Sequence, residues 1–448
     1  MKRREFLGGI FAVGGLWAVG GDAGATFGAP RVRFGVVSDV HVRQGGPRDH
    51  ATGGDTTYFR KALEYFKAQK CDAVMIAGDL ADRGREDELM AMAKVWFEVF
   101  PEGCGVTKLF VCGNHDWWGQ RSFDKIKALW EKAWREPYES FWHKTVKGYH
   151  FFGKHWDSDK PTWTEIGTWL AANGAAVKGT QPFFYVQHPH PNNTCNGPYA
   201  WGRDQGNVTK ALAAWPNAVT FSGHSHHAQT DDRSIWQGAF TSVNTGSLRY
   251  GCHPDDGGLP GRGYENGVRG DDKLMGSANV VETKTGLVVD VCDAAVVYHR
   301  RDLQNDCALG PDWVQPLPYR PQDFAARAAK EPAPAFAAGA AVTVKDVEGR
   351  PRKGAACAAV EFKFPAARAS RTRPFIYEIR ITGDDPLCTL QRGVVAEGFD
   401  QAPNHPWTHR ESRAVIAKAA LPIGVKHTVE ITPVSSLGVK GAPIKASF

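Results

Sequence analysis

The sequence predicts an α/β domain followed by a smaller all-β domain. Three observations carry that expectation. From Arg31 onward, short apolar runs alternate with segments of helical period. Beyond residue 341 the helical pattern vanishes and strand patterns remain. Between the two lies a stretch rich in Pro and Ala, residues 314–341, which reads as a linker or strap. A chain of 448 residues exceeds one ordinary domain, and 42% hydrophobic content is enough for real cores.

In order, Val32–Val37 is a short apolar strand, and Thr57–Gln69 repeats apolar residues at helical spacing (Phe59, Leu63, Phe66), with Asp55 as its expected cap. Ala73–Ala77 is a buried strand and Glu86–Val99 a helix. Leu109–Cys112, Phe183–Val186 and Ala218–Phe221 are the third, fourth and fifth strands. The runs at 239–244, 278–282 and 286–291 read as hairpin strands. The first domain is set at 31–313, with sheets buried on both sides. In the second, 342–448, strands are expected at 342–344, 358–364, 375–381, 414–417 and 428–434. The tail HTVEITPVSSLGVKGAPIKASF resembles the last strands of a fibronectin type III-like sandwich.

The first residues, MKRREFLGGIFAVGGLWAVGGDAGATFGAP, read as an export signal spanning 1–30: a basic start, a Gly-diluted apolar stretch, then the small residues Ala23-Gly24-Ala25. The apolar run falls short of the roughly 20 residues a membrane span needs, so no stable anchor is expected. Arg3-Arg4-x-Phe6-Leu7 resembles a bacterial twin-arginine signal, departing from it at Lys2 and Gly8. The resemblance implies export of a folded protein to the periplasm or beyond. The net charge of +6 is mild, and no Lys/Arg block is interleaved with aromatics, so charge does not indicate nucleic-acid binding. Nine cysteines show no CxxC spacing, which argues against a zinc–thiolate site; in an exported protein some are expected to pair.

Polar residues collect where the strands end. The first strand runs into SDVH (Asp39, His41), the second into GDLADRG (Asp79, Asp82, Arg83), and the third into GNHD (Asn114, His115, Asp116). The fourth runs into QHPH (His188, His190), and the fifth into SGHSHH (His224, His226, His227). A single Asp or His after a strand is usually a cap or turn residue. Five successive strand ends of this kind converge on one crevice in an open α/β sheet. Carboxylates, an amide oxygen and imidazoles suit divalent first-row metals, and Gly78, Gly113 and Gly223 allow the backbone to turn sharply before the donors.

Asp-x-His, Gly-Asp-x-x-Asp-Arg, Gly-Asn-His-Asp, a lone His and Gly-His-x-His, in that order, resemble the calcineurin-like metallophosphoesterase superfamily over about residues 32–300. The resemblance implies a four-layer αββα sandwich. It also implies two divalent metal ions (Mn, Fe, Zn or similar) and a phosphate-ester substrate. One ion would be held by Asp39, His41, Asp79 and His226, the other by Asp79, Asn114, His188 and His224, with Asp79 as bridge. His115 would contact phosphate and protonate the leaving group, oriented by the Asp82 carboxylate. Asn114, Arg83 and Asp116 are weaker candidates for touching substrate. A hydroxide held between the ions would be the nucleophile. Ala81 and Asp82 stand where purple acid phosphatases carry a tyrosine ligand, and Asp116 stands where protein Ser/Thr phosphatases carry Glu, so relatives of other kinds are expected.

Trp117-Trp118 and the loop 191–207, with Tyr199, Trp201 and Arg203, are placed to shape a pocket by stacking on a base or sugar; core or rim packing is the plainer reading. His227 is expected to face outward or support its neighbours. No additional basic clamp for a phosphate dianion is evident, which tilts the expectation toward diesters. The alternative function is that of an exported binding protein in which the sandwich does the work; the complete donor set argues against it.

Overall fold

The structure is a computed structural model, and it describes residues 27–44, 56–197, 200, 202–251, 274–275, 284–349, 355–369, 373–385, 387–399, 401–402 and 411–448. The leader expected at 1–30 lies almost wholly outside the described residues, as do Asp55, Tyr199, Trp201 and the strand expected at 278–282. Among the described residues no helix is long and apolar enough to cross a membrane.

Two sheets meet face to face. The first is built from β1 (Val32–Val37), β2 (Ala73–Ala77), β3 (Thr107–Val111), β11 (Thr285–Val291), β12 (Ala295–Asp302), β13 (Cys307–Ala308) and β14 (Trp313–Pro316). The second comprises β4 (Phe141–Val146), β5 (Tyr149–Lys154), β6 (Phe183–Val186), β7 (Ala218–Ser222), β8 (Ile235–Gln237) and β9 (Thr241–Asn244), in the order β4-β5-β6-β7-β9-β8. Strands β1, β2 and β3 are mutually parallel, as are β5, β6, β7 and β9. Their carboxyl ends therefore open on one edge of each sheet, and that arrangement positions the site.

Side-chain alternation along β1 explains the layering. Phe34 and Val36 point between the sheets, where Phe34 meets Phe151, Phe184 and Phe221 edge-on at 5.2, 5.1 and 5.7 Å. Val37 points outward into a core shared with α1 (Thr57–Ala68), α2 (Glu86–Val99) and α4 (Phe123–Trp134). The period of α1 buries Phe59, Leu63 and Phe66 on that core. On the far side, α5 (Glu165–Asn173) and α6 (Asn207–Leu212) cover the second sheet through Ile166, Leu170, Val208 and Leu212. The result is four layers, helix–sheet–sheet–helix.

The all-β region is a sandwich of two sheets. One contains β15 (Thr343–Gly349), β16 (Cys357–Phe364) and β19 (Ser412–Ala417), with the two-residue β10 (Leu274–Met275) paired along β19. The other contains β17 (Pro374–Thr382), β18 (Thr389–Val395), β20 (Thr428–Ser435) and β21 (Ile444–Ser447). Phe362, Phe375, Ile379, Ile416 and Ile431 fill the space between them.

The stretch 314–341 is a strap, and its start belongs to the first domain. Strand β14 pairs with β12, ending at Pro316 on a sheet margin where a missing N–H is tolerated. Tyr319 donates its hydroxyl to the Gly238 carbonyl at 2.9 Å, and Arg327, in a short helix (Phe324–Ala328), donates to the Asp232 and Ile235 carbonyls at 2.7 and 2.8 Å. The expected disulfides are not formed among the described residues: the eight cysteines described are free.

A charge ladder ties β1 to β11 and β12. Arg33 holds Asp290, which faces His299, and His299 also faces Asp312 at 2.9 Å. Burial pushes the His299 imidazole down, but Asp290 and Asp312 outweigh it and raise it to about 9. A folded pKa above the unfolded 6.5 means stabilisation that is complete below pH 6.5 and fades as the pH rises toward 9. Wild-type thermal stability should therefore slope downward across that window. His299→Gln should flatten the slope in melts taken at several pH values, by a small amount because the side chain is partly solvent-screened.

Candidate metal centre

Five donors sit in strained backbone. Asp39 (φ 49°), His41 (47°), Asp79 (49°), His224 (68°) and His226 (55°) are all left-handed. That region costs an L-residue roughly 1–2 kcal/mol, so the surroundings must hold it. They do so by stitching loop to loop. The Asp39 N–H donates to Gly78, and the His41 N–H donates to Asp79 at 3.0 Å. The His224 N–H donates to the Asp39 carboxylate at 3.1 Å, and the His115 N–H donates to the Asp79 carboxylate at 2.9 Å. The glycines make room: a Cβ on Gly78 (φ 91°) would lie 2.3 Å from His188 Nδ1, and one on Gly223 would lie 2.3 Å from an Asp39 oxygen.

Six of the seven candidate ligands from the sequence come together in two groups of donors, and all seven are buried or nearly so. Donor atoms of Asp39, His41 and His226 lie within 4.8 Å of one another, and so do those of Asp79, His188 and His224. His226 Nε2 is 3.1 Å from Asp39 Oδ1, and His188 Nε2 is 3.1 Å from Asp79 Oδ2. His41 Nε2 faces His226 Nε2 at 3.1 Å, and His224 Nδ1 faces His188 Nε2 at 3.1 Å.

These separations test whether a metal fits. Two donors on one ion at about 2.0–2.2 Å lie roughly 3.0–3.4 Å apart. The tautomers add a sharper test. His226 Nδ1 faces the Tyr250 carbonyl at 3.0 Å and His188 Nδ1 faces the Ala77 carbonyl at 2.7 Å. A carbonyl only accepts, so each Nδ1 carries the hydrogen in the neutral ring and each Nε2 presents a lone pair to a carboxylate oxygen. A ring nitrogen and a carboxylate oxygen 3.1 Å apart call for positive charge between them, as a proton or as a metal cation. Asn114 Oδ1, at the start of α3 (Asn114–Gln120), is a buried oxygen without a hydrogen-bond donor, as a ligand oxygen would be before its ion arrives. The residues fit a divalent cation.

The titration behaviour shows the same demand for positive charge, which a proton on His188 meets until a cation takes its place. Burial alone would raise Asp39, but His226 and then His188 hold it at about 2; burial opposes Asp79 too, and His188, His41 and His115 hold it well down. Burial would lower His188, yet Asp79 and Asp39 raise it to about 9. Burial, then His188, lowers His224 to about 3. The cluster is an anionic, buried cage that draws positive charge.

The remaining candidates divide. His115 is brought beside the cage, its ring 4.6 Å from that of His41. Its Nδ1 meets Asp82, but through the backbone carbonyl at 2.7 Å rather than the expected carboxylate. That carboxylate instead pairs with Arg249 and lies 3.6 Å from His41 Nδ1. Arg83 and Asp116, the weaker candidates for touching substrate, are engaged by the protein itself. Arg83 is bound to buried Glu88 at 3.0 Å and to the Gln44 carbonyl. Asp116 accepts the N–H groups of Leu80, Ala81 and Gly113, locking the second loop to the third. Burial, then Asp79, pushes Asp116 up to about 7. His190 spans Ser222 and Ser225 at 2.7 and 2.6 Å, and burial lowers it to about 4. His227 does not face outward: it is buried, with its ring 6.4 Å from His190.

Sequence reasoning missed Arg249, Tyr250 and Trp156. Arg249 and Tyr250 follow β9, which was read as a hairpin strand; its parallel pairing with β7 sends its end to the same edge. Trp156 follows β5, the parallel neighbour of β6, and its ring lies 5.7 Å from that of His224. The missed signal was a further pair of strand ends, SLRY and KHW, each with chemistry of its own.

With this geometry in place, the calcineurin-like phosphoesterase family matches residues 32–228. The chain carries a calcineurin-like phosphoesterase domain. With that domain comes its class of chemistry, metal-dependent hydrolysis of phosphoesters. No curated protein matches the chain. Among solved structures it is similar to a dimetal phosphatase from Danio rerio, at 12% identity over 64% of this chain and 98% of that one, TM-score 0.42. It is similar to a purple acid phosphatase from yellow lupin (Lupinus luteus) seeds, at 11% over 63% and 53%, TM-score 0.42. A vacuolar protein sorting 29 from Cryptosporidium parvum matches at 8% over 64% and 97%, TM-score 0.31. Those likenesses are distant, and the donor set carries the reading.

His224→Ala and His226→Ala should each lower the metal content of the purified chain, measured by elemental analysis. His227→Ala should leave it unchanged.

Proposed function

We infer that the chain hydrolyses phosphate esters with the help of a pair of divalent ions, which Asp79 would hold jointly. One observation carries this. Asp79 Oδ2 lies 3.5 Å from His41 Nε2 of one donor group and 3.1 Å from His188 Nε2 of the other, so a single oxygen serves both. Asp39, His41 and His226 complete one site, and Asn114, His188 and His224 the other. When bound, two such ions neutralise the phosphate and supply an activated water as nucleophile.

The chain's own groups do the rest. Because the Asp82 carbonyl holds Nδ1–H of His115, the opposite nitrogen, Nε2, can hold a second proton and deliver it to the departing oxygen. Asp82 is thus a positioning residue through its main chain, and Arg249 fixes its side chain. The guanidinium groups of Arg83 and Arg249 are committed to Glu88 and Asp82, which supports a diester over a monoester dianion. The reading extends to place and assembly: the twin-arginine-like leader at 1–30 exports the folded chain from a bacterial cytoplasm, and the all-β region is a fibronectin type III-like companion domain.

Bis-aryl and mono-aryl phosphates assayed with Mn, Fe, Zn, Ni and Co should show metal-dependent turnover with the diester preferred, and a chelator should abolish it. No turnover with any ion would refute the reading. His115→Ala should slow esters with poor alkyl leaving groups by about 10²–10⁴-fold. It should slow activated nitrophenyl esters far less, at unchanged metal content. Metal loss on that substitution would remove His115 from the acid role.

A further inference from the structure

Two adjacent tryptophans on α3 have opposite fates. Trp117 is buried, with its indole N–H donating to Asp159 at 2.8 Å. Trp118 is 49% exposed, and its ring lies 5.3 Å from that of His115, tilted by 43°. A single exposed apolar side chain means little in itself. The location gives this one meaning. His115 and Trp118 are three positions apart on one helix and so share a face. The helix is clamped to the second loop, where a Cβ on Gly119 would fall 2.0 Å from the Arg83 carbonyl oxygen. The indole is therefore held at a fixed offset from the ring that protonates the leaving oxygen, within reach of what that oxygen carries.

The other exposed aromatics among the described residues are placed differently. Phe123 packs edge-on to Tyr138 at 5.6 Å, and Tyr250 lies 4.2 Å from the ring of His226, a residue of the metal cage rather than the proton donor. Resting on the phosphoesterase reading, we propose that Trp118 is a stacking platform for the leaving group. The substrate class is then phosphate esters whose leaving group carries a flat ring system, a nucleoside or an aromatic alcohol. The phosphorus–oxygen bond to that group breaks as water adds, and the proton from His115 goes to the departing oxygen.

The test uses the full chain loaded with Mn and two substrates with the same leaving alkoxide: the methyl phosphodiesters of adenosine at its 5′ oxygen and of ribose at its 5 oxygen. The wild type should favour the base-bearing ester by about tenfold in kcat/KM, within the range of base–aromatic stacking. Trp118→Leu should bring that ratio to about one, mainly through KM. Trp118→Phe should keep most of it. Because both esters are measured on the same preparation, partial misfolding cancels in the ratio. If the adenosine ratio is lost in Trp118→Leu, nucleosides are the source of the ring. If instead turnover of bis(p-nitrophenyl) phosphate falls in Trp118→Leu and recovers in Trp118→Phe, aromatic alcohols are the source. A wild-type ratio near one, or an unchanged ratio in Trp118→Leu, with nitrophenyl turnover also unchanged in Trp118→Leu, overturns the proposal and leaves the hydrolase reading standing. No turnover of any of these esters overturns both.

Discussion

Two buried carboxylates, Asp39 and Asp79, organise this molecule. Both sit at the seam where the sheets' carboxyl ends meet, and neither is more than 2% exposed. Burying one carboxylate without compensation is costly, and burying two side by side is worse. Compensation comes from every direction. The main-chain N–H groups of His224 and His115 donate to them, and imidazoles from the ends of β1, β6 and β7 face them. Left-handed backbone at the donors, and glycines where a Cβ would strike the cage, follow from fitting so many groups around so little space. The local strain is tolerable only because the flanking strands are rigid and their cores are filled.

Carbonyls perform a less visible task. Those of Tyr250, Ala77 and Asp82 each take one ring nitrogen of a histidine and so decide what the other nitrogen presents. For His226 and His188 the result is an Nε2 aimed at a carboxylate, to be bridged by a proton or a cation. For His115, outside the cage, it is a nitrogen that can hold a transferable proton. The same residue type performs two kinds of chemistry because its partners differ.

Strand patterns and their polar ends were legible because each is a local signal: an apolar run, then a donor, within a few residues. Strands β1, β2 and β6 and helix α2 could be read directly from such runs. What could not be read was set by pairing across the chain. Arg249 and Tyr250 looked remote because nothing local says that β9 runs parallel to β7. The Asp82 contact was misjudged because a motif specifies a residue, not whether its carboxylate or its carbonyl is used. His227 was expected to face outward or to support its neighbours, and the turn that presents His226 carries it into the core beside His190. Pro-rich composition hid β14, since a proline at a strand end reads as a linker until a partner strand is known. Side-chain contacts from both domains attach the second to the first. Arg233 stacks over Phe375 at 4.5 Å, and Arg373 donates to the Leu309 carbonyl at 2.7 Å, so the sandwich touches both the segment that leaves the histidine turn and the one that follows β13.

The most direct test of the central claim is anomalous diffraction from crystals of the full chain grown with Mn. The account predicts two peaks about 3.5–4 Å apart. One should lie among Asp39, His41 and His226, the other among Asn114, His188 and His224, with Asp79 in contact with both. A single peak, or two peaks of which Asp79 touches only one, would contradict it.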